Sequence, residues 1–323
     1  AKQLWTEQFN WFVNYANTFG KHDVNAMVVF EQAANGGEWI QAKGEQPMAN
    51  LDQMFNYSKD AERRWGDAEE YTGGRLSWIG RFNYTFDQKY IAEFSFRYDG
   101  NTLFPDGHRW GFFPSVSAAW RLSEESFMEN TTDWLSNLKL RASYGTTGND
   151  LDLSKDPIDK ITAFSYLQKY NTGGTYVFGS NLANTIVAGD TPNPTLTWAT
   201  STTYNGGLDF GFFNNRLSGT LDVFYRKEVD ILGPRTVTLP STYGQALAPE
   251  NYAERSWRGG ELALTWMDKA ANGAIDYSAY VNLGFARDRW DVLDVSATYQ
   301  EGGNLYALSP LGKADGILTG LIA

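Results

Sequence analysis

Apolar and polar residues alternate with a period of two along several stretches of the chain. In the stretch 76–86, one side carries Leu76, Trp78, Phe82, Tyr84 and Phe86, and the other carries Ser77, Ile79, Arg81, Asn83 and Thr85. The stretches 90–98 and 275–285 repeat this alternation. Such runs of about ten residues match a tilted strand that crosses a bilayer, whereas strands of soluble proteins average about five or six residues. The pattern predicts strands with one apolar and one polar face.

The same alternation predicts about ten strands joined by two kinds of connection. The strands are expected at 4–19, 23–35, 75–86, 90–98, 114–122, 138–146, 197–212, 216–230, 258–267 and 275–286. Short turns at 20–23, 87–89, 214–215 and 269–273 alternate with long segments at 36–74, 99–113, 147–196, 231–257 and after 287. A connection at 123–137 breaks the short set, and we expect a small helix there. The sequence therefore predicts an all-β, transmembrane antiparallel β-barrel with short periplasmic turns and long extracellular loops.

The segment 109–128 places aromatic residues at both ends of a short predicted crossing. Trp110, Phe112 and Phe113 precede the strand 114–122, and Trp120 and Phe127 lie at its other end. Amphipathic rings prefer the depth of the lipid headgroups, so we expect these residues in an outer and an inner aromatic girdle. A large soluble β-sandwich also alternates, but it rarely carries aromatic residues on strand after strand.

The composition narrows the class of protein. Aromatic residues make up 15% of the chain while the mean hydropathy is −0.43, which fits strands that face lipid on one side and water on the other. The absence of cysteine excludes disulfides and thiolate chemistry. A net charge of −11 argues against a nucleic-acid partner. The first residues, AKQLWTEQ, have no apolar signal-peptide core, so we expect an interior piece of a longer polypeptide.

Three longer stretches resemble one protein family. HRWGFFPSVSAAWRLSEESFM (108–128), followed by LSNLKLRASYGTTGN (135–149), resembles the SusC/RagA group of TonB-dependent outer-membrane transporters from Bacteroidetes. Residues 193–232 and RSWRGGELALTW (255–266) are similar to the same family in order and spacing. The resemblance covers about residues 75–290, and 1–35 fits more loosely. It implies a 22-stranded barrel with an N-terminal plug and a TonB box, and a SusD-like surface lipoprotein that acts as a lid.

On this resemblance, residues 1–323 are a partial TonB-dependent receptor β-barrel domain, with about ten of 22 strands and without the plug or the TonB box. The implied function is TonB-dependent import of an oligosaccharide, or alternatively of a peptide, through the outer membrane. The implied partners are the SusD-like lid lipoprotein, outer-membrane lipid, and TonB through the missing N-terminal part. A passive barrel without energy coupling is a rival. A partial barrel would not transport alone, because lipid cannot satisfy its open edges.

The sequence indicates no catalytic group, metal site or cofactor. Neither His22 nor His108 belongs to a metal-ligand spacing. One enzymatic alternative is a ten-stranded surface protease of the omptin type, in which an Asp-x-His pair faces an Asp-x-Asp pair. Asp106 and His108 would form the first pair and Asp150 and Asp152 the second, with the histidine as a general base.

Candidate substrate contacts are residues of the long segments, because exposed rings can stack on sugar faces. The same rings could instead pack the loops together or contact the lid, and 164–179 is expected to form a hairpin around a glycine turn. The substrate-binding candidates are Trp39, Trp65, Tyr71, Asp106, His108, Trp110, Tyr166 and Tyr176.

Charged residues on the polar sides of the strands are expected to line the lumen. Opposite charges that lie close together there should pair, for instance Glu93 with Arg97 on one strand. The residues in this group are Arg81, Glu93, Arg97, Lys139, Arg141, Asp209, Asp222, Arg226, Glu261 and Asp276.

Overall fold

Ten long antiparallel strands form one sheet in this protein. The structure, a computed structural model, describes residues 2–44, 64–152, 159–161, 164–179, 181–235, 240–270, 274–294 and 312. The long strands are β1 (Lys2–Phe19), β2 (His22–Gly44), β3 (Arg64–Phe86), β4 (Tyr90–Asn101), β5 (Trp110–Arg121), β6 (Leu135–Asn149), β11 (Ala199–Phe212), β12 (Leu217–Gly233), β13 (Glu250–Ala270) and β14 (Ile275–Val292). Four short strands lie between β6 and β11: β7 (Leu151–Asp152), β8 (Asp159–Lys160), β9 (Tyr170–Phe178) and β10 (Asn181–Ala188).

The order of the long strands in the sheet is the order of the chain. It runs β1-β2-β3-β4-β5-β6-β11-β12-β13-β14, and every neighbouring pair is antiparallel. This confirms the ten predicted strands. Among the described strands, β1 pairs only with β2 and β14 only with β13, so the sheet is an open strip of wall.

Several strands extend well beyond their predicted ends. β2 and β3 have 23 residues each, and they pair without interruption from the turn at 20–21 up to Gly44 and Arg64. Much of the predicted loop 36–74 is therefore strand. The physical reason is that the ladder is held by backbone hydrogen bonds, which continue through residues whose apolar and polar types do not alternate.

The short connections form tight turns on one edge of the sheet. Residues 87–89 join β3 to β4, with positive φ angles of 51° at Asp87 and 57° at Gln88, and the Lys89 N–H donates to the carbonyl of Phe86 at 3.0 Å. Asn214 and Asn215 have positive φ angles between β11 and β12. The connection from β5 to β6 holds two 3₁₀ stretches, Leu122–Glu124 and Ser126–Thr131, where a small helix was expected.

The sheet has two chemically distinct faces. The apolar face carries the even-numbered positions of β3–β6, β11 and β13 and the odd-numbered positions of β12 and β14, and the alternate positions form the polar face. A row of leucines crosses five strands of the apolar face in register: Leu140, Leu208, Leu221, Leu262 and Leu283. Many large side chains of this face are exposed rather than packed on another layer, with Leu221 42% and Phe285 68% exposed.

The aromatic girdles are largely where the sequence predicts them, with one correction. Trp110 stacks on Tyr98 with ring centroids 4.8 Å apart, and Trp120 stacks on Tyr90 at 6.3 Å, all on the apolar face. Phe112 is 56% exposed on that face, but Phe113 is only 6% exposed. Phe113 does not belong to the outer girdle, because the period of two turns its ring to the polar face.

Candidate functional site

A buried aromatic cluster lies on the polar face where the long segments leave the strands. Its members are Phe104, Phe113, Ile161, Leu196, Trp198 and Leu232, with Leu103 and Tyr166 packed against them. The ring of Trp198 lies 4.6 Å from that of Phe104 and 5.6 Å from that of Phe113. Its indole nitrogen donates a hydrogen bond of 3.1 Å to the carbonyl of Arg109. The cluster, which we call the loop cluster, fixes the turn 102–109 and the segment 193–198 against the strand ends.

Two glycines make room for the centre of the loop cluster. A Cβ at Gly111 would lie 2.3 Å from the Cζ atom of Phe113, and one at Gly148 would lie 2.2 Å from the same atom. Only residues without a side chain allow the ring to lie flat across β5 and β6 at this point. The sequence analysis did not find this cluster; Trp198 at the start of a predicted strand was the available signal.

Charged side chains on the polar face form paired groups, as expected. Arg141 donates to Asp209 at 3.0 Å and to Asp222 at 3.1 Å, and Lys139 lies 3.6 Å from Asp209. These four residues sum to no net charge. They lie on three adjacent strands and join β6, β11 and β12 across the middle of the face.

The predicted pairing of Glu93 with Arg97 is wrong. Glu93 accepts from Arg81 on the neighbouring strand at 2.7 Å, because the two residues lie on diagonal positions of the β3–β4 ladder. Arg97 instead donates two bonds of 3.0 Å to Asp99 and lies 4.0 Å from Glu31. Glu93 and Arg97 lie four residues apart on one strand, about 13 Å at about 3.3 Å per residue, whereas a diagonal neighbour across the ladder is only about 7–8 Å away.

The two motifs of the protease alternative are engaged in structural contacts. Asp150 accepts from Arg75 at 3.1 Å and from Asn101 at 3.4 Å, and its side chain is only 13% exposed. Asp106 is paired with Arg109 at 2.9 Å, and His108 is exposed in the same turn. The side chain of Asp152 lies outside the described part of the chain. A carboxylate held by an arginine and an amide is poorly placed to activate water.

The remaining substrate-binding candidates do not gather at one place. Trp39 lies on the polar side of β2 by register and is partly buried, while Trp110 lies on the apolar face beside Tyr98. Tyr166 packs on the loop cluster, and Tyr176 is 58% exposed on β9. Trp65 and Tyr71 belong to β3, but their side chains lie outside the described residues. The position of Trp110 favours a girdle role over substrate contact, and the roles of the others stay predictions.

The hairpin expected within 164–179 is wrong, because residues 170–178 form one strand, β9, that runs through the glycine pair. β9 and β10 pair as a separate two-stranded sheet, and the chain reverses at Gly179, whose φ is 64°. The glycine pair at 173–174 instead lies within β9, opposite the register shift between Asn184 and Ile186. A glycine pair inside a strand serves a bulge as readily as a turn, and the sequence alone does not separate the two.

A single carboxylate organises the opposite end of the wall, at the short turns. Tyr90 donates to Glu125 at 2.6 Å, Trp120 donates at 3.0 Å, and Lys89 lies 3.6 Å away. The hydrogen bonds from Tyr90 and then Trp120 hold the pKa of the Glu125 carboxyl below its ordinary value. At the neighbouring turn, a hydrogen bond from Lys21 lowers the pKa of Asp87.

The polar face, with its paired charges, is suited to form the wall of a passage lined by polar groups. No helix in the described residues is long and apolar enough to span a membrane. Within the same residues, no group of three or more histidine, cysteine, aspartate or glutamate side chains is arranged to hold a metal ion.

Comparison with known proteins places the chain in a family. The profile described as "TonB dependent receptor-like, beta-barrel" matches residues 3–313. The TonB-dependent receptor SusC of Bacteroides thetaiotaomicron is 31% identical over 252 residues, which are 76% of this chain and 24% of that receptor. TonB-dependent receptor P26 of Formosa agariphila is 34% identical over 201 residues, 60% of this chain and 18% of that receptor.

Solved structures agree with the sequence comparison. The RagAB peptide importer in its "open-open" state matches with a TM-score of 0.78 and 25% identity, over 93% of this chain and 31% of that chain. This chain therefore spans between 18% and 31% of the length of these relatives.

These relatives are receptors and an importer, which confirms the expectation that the chain is not an enzyme. They also explain why the sheet has two chemically distinct faces, because proteins of this class reside in the outer membrane. The apolar face lies against lipid, and the polar face lies toward the lumen. The chain belongs to the TonB-dependent receptor β-barrel family, and it is of the SusC and RagA type.

Proposed function

We propose that this chain is part of the barrel of a longer TonB-dependent transporter that imports an oligosaccharide through the outer membrane. Residues 1–323 supply about ten of its 22 strands, and the plug and TonB box belong to the rest of the protein. A SusD-like surface lipoprotein covers the outer end. The observation that carries this proposal is the 31% identity to SusC over 76% of the chain.

The electrostatics of the polar face suit an uncharged, polar cargo. Arg81 is neutralised by Glu93, and the group of Lys139, Arg141, Asp209 and Asp222 has no net charge. A neutral sugar can pass such a surface by exchanging hydrogen bonds with water and side chains, without separating an ion pair. A strongly charged cargo would have to compete with pairs that are already formed.

Import of a peptide is the second candidate. The observation in its favour is the match to the RagAB peptide importer over 93% of this chain. The two candidates differ in the cargo and share the fold, the membrane and the requirement for TonB. Specificity would then reside in the long outer segments and in the remainder of the intact receptor.

Uptake by cells that carry the intact receptor tests the proposal. Fluorescently labelled oligosaccharides and a labelled peptide library are supplied to cells with the receptor, without it, and without TonB. We expect accumulation of an oligosaccharide only when both the receptor and TonB are present. Accumulation of peptides alone would favour the second candidate, and accumulation that persists without TonB would identify a passive barrel.

A matched pair of tryptophans tests whether the rings of this chain contact the cargo. We expect Trp39→Ala to weaken binding of the imported oligosaccharide about 3- to 10-fold, as the loss of about 0.5–1.5 kcal/mol from one stacked ring implies. Trp11→Ala, on the apolar side of β1 by register, should leave the dissociation constant unchanged. Isothermal titration with the purified intact receptor measures both, and equal effects would remove Trp39 from the site.

A further inference from the structure

Basic side chains interrupt the apolar face on three neighbouring strands. Along β12, Leu221, Val223 and Tyr225 are followed on the same face by Lys227. On β13 the corresponding change is from Leu262 and Gly260 to Arg258, and on β14 it is from Leu283 and Phe285 to Arg287 and Arg289. Register places Tyr225 beside Arg258, Arg258 beside Arg287, and Ser256 beside Arg289. The four cations, which we call the cationic edge, therefore lie together at one level.

Neighbouring strands show that this is a local feature. The apolar-face positions of β4, β5, β6 and β11 contain no lysine or arginine at all. Their outer ends carry rings such as Tyr98, Trp110 and Phe112, or threonines such as Thr202. A basic residue that merely reached for water would have no reason to be absent from the apolar-face positions of β4, β5, β6 and β11.

The charge of the cationic edge is only half neutralised. Lys227 is paired with Glu254 at 2.8 Å, and Arg289 with Asp291 at 2.7 Å. For Arg258 and Arg287, the described residues contain no carboxylate within 4.0 Å, although the two side chains are direct cross-strand neighbours. Like charges in that position destabilise a sheet. Four cations and two anions leave a net charge of +2 on a chain whose net charge is −11.

The position of the cationic edge is the outer rim of the lipid-facing wall. β12 ends at Gly233 and β13 begins at Glu250 on the side of the long segments, so all four cations lie in the outer halves of their strands. A groove of about 310 Å³ is formed there, and its lining consists of Tyr225, Ser256, Trp257, Arg258, Arg287, Asp288, Arg289 and Gly312. The one acidic side chain in this lining, that of Asp288, is paired with Arg255. Below it, Val223 and Phe285 continue the surface that faces acyl chains. The groove therefore lies at headgroup depth in the outer leaflet.

We propose that the cationic edge binds the phosphate groups of an anionic lipid of the outer leaflet. Arg258 and Arg287 hold the phosphate, since planar guanidinium groups bind phosphate oxygens in pairs. Their aliphatic stems lie on the apolar surface while the charged groups reach the headgroup. The acyl chains of the same lipid then cover Phe285 and Leu283. This proposal does not depend on which cargo the receptor imports.

Native mass spectrometry of the intact receptor in a neutral detergent tests the proposal. The probes are phosphatidylglycerol and phosphatidylcholine with identical acyl chains, and inorganic phosphate is a third probe. About 1 kcal/mol for each basic residue near a charged headgroup corresponds to a factor of about five in affinity. We expect wild type to bind phosphatidylglycerol more tightly than phosphatidylcholine, and the double variant Arg258→Gln, Arg287→Gln to bind it about 30-fold more weakly.

Three controls keep the result specific. Arg258→Lys with Arg287→Lys should retain most of the preference, because the charge remains. Arg226→Gln should leave lipid binding unchanged. Arg226 is the residue before Lys227, but its side chain lies on the polar face and donates to Ser201. If the double glutamine variant does not fold, the single variants each carry the test, with an expected loss of about fivefold.

A stability measurement separates the proposal from a structural role of the two arginines. In neutral detergent, Arg287→Gln should be at least as stable as wild type, because a like-charge pair is removed; added phosphatidylglycerol should stabilise wild type more than the variant. Equal affinity of wild type for the two lipids would overturn the proposal. The proposal would also be overturned if Arg287→Gln lost stability in neutral detergent and wild type showed no lipid preference. That result would mean that a carboxylate elsewhere in the intact receptor pairs with Arg287. Inorganic phosphate that binds as tightly as the lipid would show an anion site without a lipid.

Discussion

Leu221 and Asp222 are neighbours on β12, yet their side chains meet opposite environments. Leu221 belongs to the row of five leucines that crosses the apolar face, and its outward side faces lipid. Asp222 accepts a hydrogen bond of 3.1 Å from Arg141 on the polar face, within a group that has no net charge. The apolar face depends on what surrounds the barrel, whereas the polar face depends on partners within it.

The difference teaches how each face responds to substitution. A charge introduced at the level of the leucine row has no partner there, and the membrane excludes the water that would solvate it. A changed charge on the polar face leaves other partners and water in place, since Arg141 also holds Asp209. We therefore expect charged substitutions on the apolar face to lower stability most, and we expect the polar face to tolerate more substitutions.

The largest expected effect comes from charging the leucine row. Leu221→Arg should cost about 2–4 kcal/mol in unfolding free energy, the usual penalty for arginine near the bilayer midplane on the lipid side of a barrel. Asp222→Asn should cost less than about 1 kcal/mol, because a partly exposed ion pair contributes little. Urea unfolding of the intact receptor in lipid vesicles measures both variants, and equal losses would contradict the assignment of the faces.

A smaller effect is expected where the polar face meets the loop cluster. Gly148→Ala should destabilise the intact receptor by about 1–3 kcal/mol, because the new methyl group overlaps the Phe113 ring. Gly284→Ala is the matched control, since a Cβ at Gly284 on β14 has no atom of the described residues within 4 Å. The temperature at which the folded form is lost on an electrophoresis gel compares them.

A second variant makes this test specific for the ring. Adding Phe113→Leu to Gly148→Ala should restore part of the loss, because the smaller side chain vacates the space that the methyl group takes. If Gly148→Ala and Gly284→Ala lowered that temperature equally, or if Phe113→Leu restored nothing, close packing across Gly148 would not be the cause.

The smallest expected effect concerns pH at the short-turn end of the wall. Because hydrogen bonds lower the pKa of Glu125 in the folded protein, the carboxylate contributes stability at pH values above about 4.5, its ordinary pKa. That contribution is lost as the pH falls through the lowered folded value. Wild type should therefore exceed Glu125→Gln in thermal stability at pH 7, and the difference should shrink as the pH falls below about 4.5.

The adjacent glutamate supplies the control for that series. Glu124 is exposed in the same connection, so Glu124→Gln should show no pH-dependent difference from wild type over the same range. A constant gap between wild type and Glu125→Gln at every pH would mean that the side chain acts by packing and not by its charge.

Much of the wall could be predicted without a structure. The alternation of ring and polar residue in 76–86 and 90–98 indicated both the strands and the face that meets lipid, and Asp87 with Gln88 behaved as a short turn. The extensions of β2 and β3 were missed because apolar and polar residues do not alternate there, as Trp39 next to Ile40 shows. The hairpin turn was misplaced because the glycines at 173–174 serve a bulge.

The candidate site was harder to predict. Tyr166 and Trp110 were both candidate substrate contacts, but Tyr166 packs on the loop cluster, and Trp110 lies on the apolar face, where the aromatic pattern of 109–128 predicts an outer girdle. Phe113 differs from Phe112 by a single position, and that position decides between a buried core and lipid. Loop residues lack the period of two from which a strand and its faces can be predicted.

By itself the sequence determined the local structure of this protein, namely strands of period two, an apolar and a polar face, and tight turns at one edge. Each of these features depends on residues that are close together along the chain. Only the tertiary structure decided which residues meet across strands. It joined Glu93 to Arg81, placed Trp198 over Phe113, and brought Arg258 beside Arg287. Those contacts depend on register between distant segments, and register is fixed by the whole ladder of backbone hydrogen bonds.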